Sequence, residues 1–574
     1  MNLGLLKNHK IFIIVVLLAS LLRFLYLDKI PTAVGGDELH YILTAKSVFL
    51  TGYDTSGTWN PLSVFLFRYP PGEQLVAAEL PYFLHIPFSG PFSLSLFTAK
   101  LPFALLSVGI VVLLYLIAKE LFGSLVGEAT GLVAAINPWF IVLGRTAYEA
   151  TPSIFFYLLA LYMLLRARKW TIFFCLVPLL LAFYSYIATK LIFLPFVAIA
   201  SFLAYHKQNH KYRLHYVALC LISIGIVLAY ILVLKTSSNG SRLGELFLPN
   251  SPTVISQVND TRKNAMQSPL LTLTVNKYTV YIQLITGKLF RIFSPSYLFI
   301  EGDQIFLAGQ SFFYGIDFIF MVVGGLALYA KKRLYFILLS LFVLFGSFPH
   351  LFHQTSGDYS LHLALMFPFL TLFIGIGISE LINSVPKKFK NIGIAICFLI
   401  YTASVVIFLS KYFLQIPLYG KGDFPMRTLS RYLTLSKKQL LPITLYSIVG
   451  GDTLEKYLFY TNDITKNTIP ILKHLNTTRS FEFNGIQFAA CDTNIKTTPQ
   501  NTVIISDYRC NMHLEEPNIQ LSRLDDGGTL YKIFNDTVCG SYALKRYPGG
   551  IQIKDFNIER LDEERFCQTY ITRY

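Results

Sequence analysis

The feature that most constrains this chain is a succession of long apolar runs joined by short polar connections. A bilayer core takes about 20 mostly apolar residues per crossing helix. Eleven such runs precede residue 412, at about 11–27, 98–118, 128–144, 152–167, 170–187, 188–205, 214–234, 313–330, 334–351, 361–382 and 391–411. Residues 72–88 are apolar too, but Pro70, Pro71, Pro81 and Pro87 favour an interfacial or re-entrant segment there. Of the 574 residues, 53% are hydrophobic and 14% charged, against about 25% charged in soluble domains. A multidomain soluble enzyme and a disordered chain are both excluded. The sequence is that of a polytopic α-helical membrane protein.

The formal charge of +16 would suit nucleic acid if it formed a continuous basic face, but it does not. The basic residues sit in every second connection: Lys119; Arg166, Arg168 and Lys169; Lys207, Lys211 and Arg213; Lys331, Lys332 and Arg333; Lys387, Lys388 and Lys390. That is the positive-inside pattern, so the bilayer is the expected partner and nucleic acid is not. It places the N-terminus in the cytoplasm and residues 412–574 outside. No small-x-small site follows the first run and Arg23 interrupts it, so a retained anchor is expected there. The long or polar loops, 28–97, 235–312 and 350–360, then fall on the outer face, where function is expected.

From about residue 412 the composition becomes that of a soluble domain. Alternating apolar residues in Ile443–Val449, Thr502–Ser506 and Leu530–Phe534 predict strands, and 453–461 a short helix. The expected architecture is a transmembrane domain over 1–411 and an extracytoplasmic α/β domain over 412–574. Cys491, Cys510, Cys539 and Cys567 lie in that outer tail and are disulfide candidates, with three pairings open.

Chemistry-bearing residues cluster beyond the first run. Gly35-Gly36-Asp37-Glu38 puts two carboxylates at the start of an amphipathic stretch, where one can take a proton from a hydroxyl or bind a cation. Read alone, the pair also suits a helix N-terminus. Arg145 and Glu149 follow Asn137-Pro138-Trp139 at the same face, and boundary charges there usually line a functional cavity. They also suit an i,i+4 ion pair. Tyr186 and Lys190 form a tight outer connection, and Arg68-Tyr69-Pro70-Pro71-Gly72 a stiff aromatic turn. Glu301 and Asp303, and His350, His353, Asp358 and His362, are weaker candidates in the later loops. No cofactor is assigned, and a divalent metal stays open.

Together these residues resemble the GT-C glycosyltransferases that use polyprenyl-phosphate sugars, of the protein O-mannosyltransferase and aminoarabinose transferase type and the RgtA/B/C/D-like type. Arg23, Pro31, Asp37-Glu38, Gly52-Tyr53-Asp54 and Arg68–Gly72 carry the resemblance, with Asn137-Pro138, Arg145, Glu149 and Tyr186 to Lys190. It implies a GT-C-like membrane fold of about 11 helices and inverting transfer of a sugar from a polyprenyl-phosphate donor to a protein, glycan or lipid acceptor. It implies Asp37 as general base, with Glu38 positioning the acceptor or assisting with a cation. Arg145 and Lys190 would neutralise the phosphate, and Arg23, Arg68, Tyr69, Glu149, Tyr186, Glu301 and Asp303 would line the cleft. The competing reading is a transporter or lipid flippase, which would place its ionisable groups at mid-membrane.

Overall fold

The computed structural model describes residues 10–574 apart from 56, 58–59, 61–62, 64–79, 237–251, 304–305, 307–308, 354–358, 420–422, 440, 449, 476–479, 492–500, 511–516 and 518. Arg68 and Tyr69 lie outside the described residues. Each of the eleven apolar runs coincides with helix. The helices used below are α1 (Lys10–Phe24), α2 (Gly36–Thr51), α3 (Leu96–Phe122), α4 (Ser124–Ile136), α5 (Ala150–Arg166), α6 (Phe193–Lys207), α7 (Arg213–Thr236), α8 (Gly315–Lys331), α9 (Arg333–Gly346), α10 (Met366–Ser384) and α11 (Lys387–Ser410). Among the described residues, five helical segments are long and apolar enough to cross a membrane: Leu96–Phe122, Arg213–Leu232, Arg333–Phe352, Met366–Ser384 and Lys388–Tyr419. Others are shorter for local reasons. The run at 128–144 breaks after Ile136, where Pro138 lacks an N–H and the Asn137 side chain accepts from the Phe140 N–H to cap a new six-residue helix.

One polar tie joins three helices of the bundle. Arg23 is fully buried and donates from Nε to Ser107 Oγ at 2.7 Å, and from its terminal nitrogens to the carbonyls of Ala19, Ala134 and Ala135. It therefore binds α1 to α3 and α4. Close backbone contact does the same for α8 and α10, where a Cβ on Gly324 or Gly377 would collide with the facing carbonyls of Phe373 and Phe320.

The tail is a seven-stranded mixed sheet with helices. Its strands are β1 (Ile443–Ser447), β2 (Ser480–Phe483), β3 (Ile486–Ala490), β4 (Val503–Asp507), β5 (Ile519–Ser522), β6 (Thr529–Phe534) and β7 (Ile571–Arg573), in the order β2-β3-β1-β4-β6-β5-β7. The β1 strand pairs parallel with β3 and β4, and the remaining pairs are antiparallel. Two further helices matter, α12 (Phe424–Ser436) and α13 (Gly450–Thr461). Cys491 pairs with Cys510, and Cys539 with Cys567.

The chain has two main hydrophobic cores. One lies among the apolar helices. The second is shared: Val34, Leu39, Ile42, Leu43, Leu94 and Leu96 of the first long loop pack in one cluster with Leu429, Leu445, Leu458, Phe488 and Ile505 of the tail. The α2 helix thus buries its apolar side against protein.

Candidate active site

A cleft of about 480 Å³ lies where the first long loop, the Val142–Tyr148 connection and the later loops meet. Residues 30–36 and Glu38 form one wall. Thr146 and Tyr148 form a second, and Phe306, Tyr359 and Tyr412 come from three further connections. The cleft therefore exists only once five distant segments have packed.

Asp37 and Glu38 stand at the first turn of α2 but are used differently. Glu38 is buried, and its two oxygens accept from the backbone N–H groups of Gly35 and Ala147. It reaches back to the residue before the helix, half of a capping box, and also fixes the second wall. Burial raises its pKa above the ordinary carboxylate value, opposed by those two amides and by Lys100. Glu38 thus forms part of the cleft wall with both oxygens engaged by backbone amides. Asp37 is exposed beside it. Burial raises the pKa values of Tyr41, Tyr148, Glu149 and Tyr359, and the nearby Asp37 charge adds to each shift.

Gly35 serves clearance. Gly35 is extended, with φ −83° and ψ 169°. A Cβ there would stand 2.8 Å from the Tyr148 hydroxyl and 3.2 Å from Glu38 Oε2.

Glu149 is buried just before α5, and its Oε2 has no hydrogen-bond partner among the described residues. Burial pushes its pKa up to about 8. A backbone hydrogen bond opposes the shift, and the Asp37 and Glu38 charges add to it. The Arg145–Glu149 pair suggested by spacing is not formed, because Arg145 turns the other way. Arg145 is fully buried and gives Nη1 to the carbonyls of Leu22 and Arg23 at 3.1 and 3.0 Å, and Nη2 to that of Ile30 at 2.8 Å. Its guanidinium also lies 4.9 Å from the Phe413 ring centre. It satisfies the last carbonyls of α1, which an α-helix leaves without partners, and does not line the cleft. In this arrangement its donors face α1 and the carbonyl of Ile30.

Other candidates divide similarly. Arg23 faces the helix core. Glu301 is exposed and engaged by Arg291 and Ser296 at 3.1 and 2.6 Å. Asp303 is buried and accepts from the N–H groups of Phe306 and Ser360, so it sets the aromatic roof without facing the cleft. Tyr186 is buried with its ring stacked 6.4 Å from His362. Lys190 Nζ lies 3.3 Å from the Tyr230 hydroxyl, within 4.8–5.7 Å of the Tyr230, Phe183 and Tyr184 ring centres. That aromatic box suits a cation. His353 and His362 come within 4.4 Å ring to ring. No group of three or more metal-type ligands occurs among the described residues. Tyr148, Tyr359, Phe306 and Tyr412 were not singled out in the sequence. Their only sequence signal is an aromatic content spread over the whole chain.

Residues 88–233 match the family model described as dolichyl-phosphate-mannose-protein mannosyltransferase. The chain resembles the polyprenyl-phosphate-sugar glycosyltransferases. The matched stretch runs from the end of the first long loop through α7, so it includes Arg145, Glu149, Tyr186 and Lys190 but not Asp37. Among solved structures, ArnT from Cupriavidus metallidurans bound to undecaprenyl phosphate is 12% identical, with a TM-score of 0.45, over 92% of this chain and 98% of that one. The oligosaccharyltransferase of Archaeoglobus fulgidus tethered with an acceptor peptide is 13% identical, with a TM-score of 0.44, over 79% of this chain. This chain spans 63% of that protein's length. None of the curated proteins compared matches by sequence.

Proposed function

We propose that this protein is a membrane glycosyltransferase that moves a sugar from a polyprenyl-phosphate donor to an acceptor at the outer face, with inversion. The observation that carries the reading is Asp37: an exposed carboxylate between two residues that line the cleft, on a helix start pinned by Glu38. The acceptor oxygen attacks the anomeric carbon while Asp37 takes its proton. The bond from that carbon to the phosphate oxygen breaks, and its electron pair leaves with the phosphate. Charge grows on the phosphate in the transition state, so a cation beside it favours reaction over ground-state binding. With Arg145 committed to α1, Lys190 is the proposed cation. The family match over residues 88–233 supports the donor class.

In this reading residues 1–411 form the multi-pass domain, with loops 28–97 and 235–312 outside. Residues 412–574 lie outside as well, and the N-terminus is cytoplasmic, as the alternation of basic connections suggests. The test is sugar transfer by the purified protein in nanodiscs with a panel of radiolabelled polyprenyl-phosphate sugars and cell-envelope acceptor. Consumption of one donor by wild type and none by Asp37→Asn is expected. No consumption of any donor would turn the reading towards transport.

A further inference from the structure

A second cavity lies away from the cleft, along the flank of α11. It encloses about 560 Å³ between α11 and the helices α1, α4 and α10, with Leu18, Val133, Leu381, Phe398 and Val406 among its walls. Lys390 lines it at one end, and the exposed Lys388 lies close by. Little of α11 is buried within the protein, so the groove opens sideways along a membrane span. A Cβ on Gly393, inside the groove, would meet no atom within 4 Å.

We propose that this groove binds an anionic phospholipid, with its acyl chain along α11 and its headgroup phosphate at Lys390. The shape and chemistry call for an amphiphile. The long apolar wall excludes a polar solute, and basic pockets between membrane helices are suited to acidic headgroups. An apolar helix of another protein would fill the wall but leave the lysine without an anion. The donor's own phosphate is excluded by distance. The α11 segment continues to Tyr412, which lines the cleft. Lys390 and Tyr412 are 22 residues apart, about 33 Å of helix. A headgroup at Lys390 is therefore a full membrane span from the cleft, in the opposite leaflet. The lipid is a fixed part of the protein's surface, wedging α11 against α1 and α4.

The test is native mass spectrometry of the full-length protein released from micelles containing equal phosphatidylglycerol and phosphatidylcholine. Wild type should retain phosphatidylglycerol in preference, by about fivefold per lysine engaged. Lys390→Gln should remove most of that preference while leaving the thermal transition unchanged. Gly393→Phe should fill the groove and reduce retention of both lipids. Equal retention of the two lipids by wild type, or an unchanged preference in Lys390→Gln, would overturn the proposal. So would polyprenyl phosphate as the tightly held lipid, or crosslinking of Gly393→Cys to a second protein. If Gly393→Phe does not fold, Lys390→Gln still decides. None of these readouts depends on sugar transfer.

Discussion

At the scale of single residues, an exposed carboxylate stands beside a buried one at the start of α2, and substitutions should separate their roles. Asp37→Asn keeps the shape of an exposed side chain and should abolish turnover while the protein stays folded. Glu38→Gln should behave differently. Glutamine offers one oxygen where two backbone donors wait, so its NH₂ group must face an N–H. A loss of about 2 kcal/mol in stability is expected, along with lower turnover as the start of α2 loosens. Arg145→Lys should also act through the fold: lysine cannot reach three carbonyls at once. Thermal stability should fall while the donor KM of the folded enzyme stays within about twofold. A large KM rise at unchanged stability would return the phosphate contact to Arg145. The pair at 37–38 stood out in the sequence, but which of the two carboxylates is buried did not. Which carboxylate is exposed depends on Ala147, a residue 109 positions from Glu38.

Glu149 supplies a pH test. Its pKa rises from an ordinary value of 4.5 to about 8 in the folded protein. The folded state thus holds a proton that the unfolded chain gives up, so Glu149 contributes stability below about pH 4.5 that is lost as pH rises through about 8. Thermal unfolding across that window should show falling stability in wild type and a flatter profile in Glu149→Gln. Asp37→Asn should shift the fall to lower pH, since Asp37 is one cause of the raised value. Parallel profiles in all three proteins would mean that Glu149 does not titrate there.

At the scale of elements, the hydrophobic runs fall on helices, because bilayer burial needs little but length and apolarity. The strands β1, β4 and β6 and helix α13 were legible by alternation for the same local reason. The strands β2, β3, β5 and β7 were not. They are three to five residues long, and their pairing is set by partners far away in the chain. The contact of the tail with the first loop was equally hidden. Arg427 on α12 is buried and donates to the Thr32 carbonyl at 2.6 Å, to the Phe556 carbonyl at 2.8 Å, and to both oxygens of Glu559 at 2.6 and 2.7 Å. Burial works against that charge, but Glu559 more than offsets it, so the Arg427 pKa stands above its ordinary value. Thr32 lines the cleft, so this pair links tail to site. Glu559→Gln should cost about 2 kcal/mol, less than the 3–5 of a fully buried pair because Glu559 is partly exposed. It should lower turnover without altering the pH profile. Unchanged stability and turnover together would mean that the pair does not hold the loop.

At the scale of the whole molecule, the composition shift near residue 412 reads as a domain boundary, yet the packing crosses it. The loop wall that carries Asp37 has its apolar side in the same core as the sheet. The Tyr460 hydroxyl accepts from the Val34 N–H, and Asn462 Oδ1 from the Leu94 N–H at 2.7 Å. The tail is thus part of what shapes the cleft, whichever acceptor it meets. Ile42 tests this, being fully buried on α2 in that shared core, with its side chain away from the chemistry. Ile42→Ala should destabilise by about 3 kcal/mol. The more telling readout is where protection from hydrogen exchange is lost. If loop and tail form one cooperative unit, amides of β1 and β4 should exchange faster together with those of α2, and turnover should fall with them. Faster exchange confined to α2, with the sheet unaffected, would make the tail an independent domain resting against the loop.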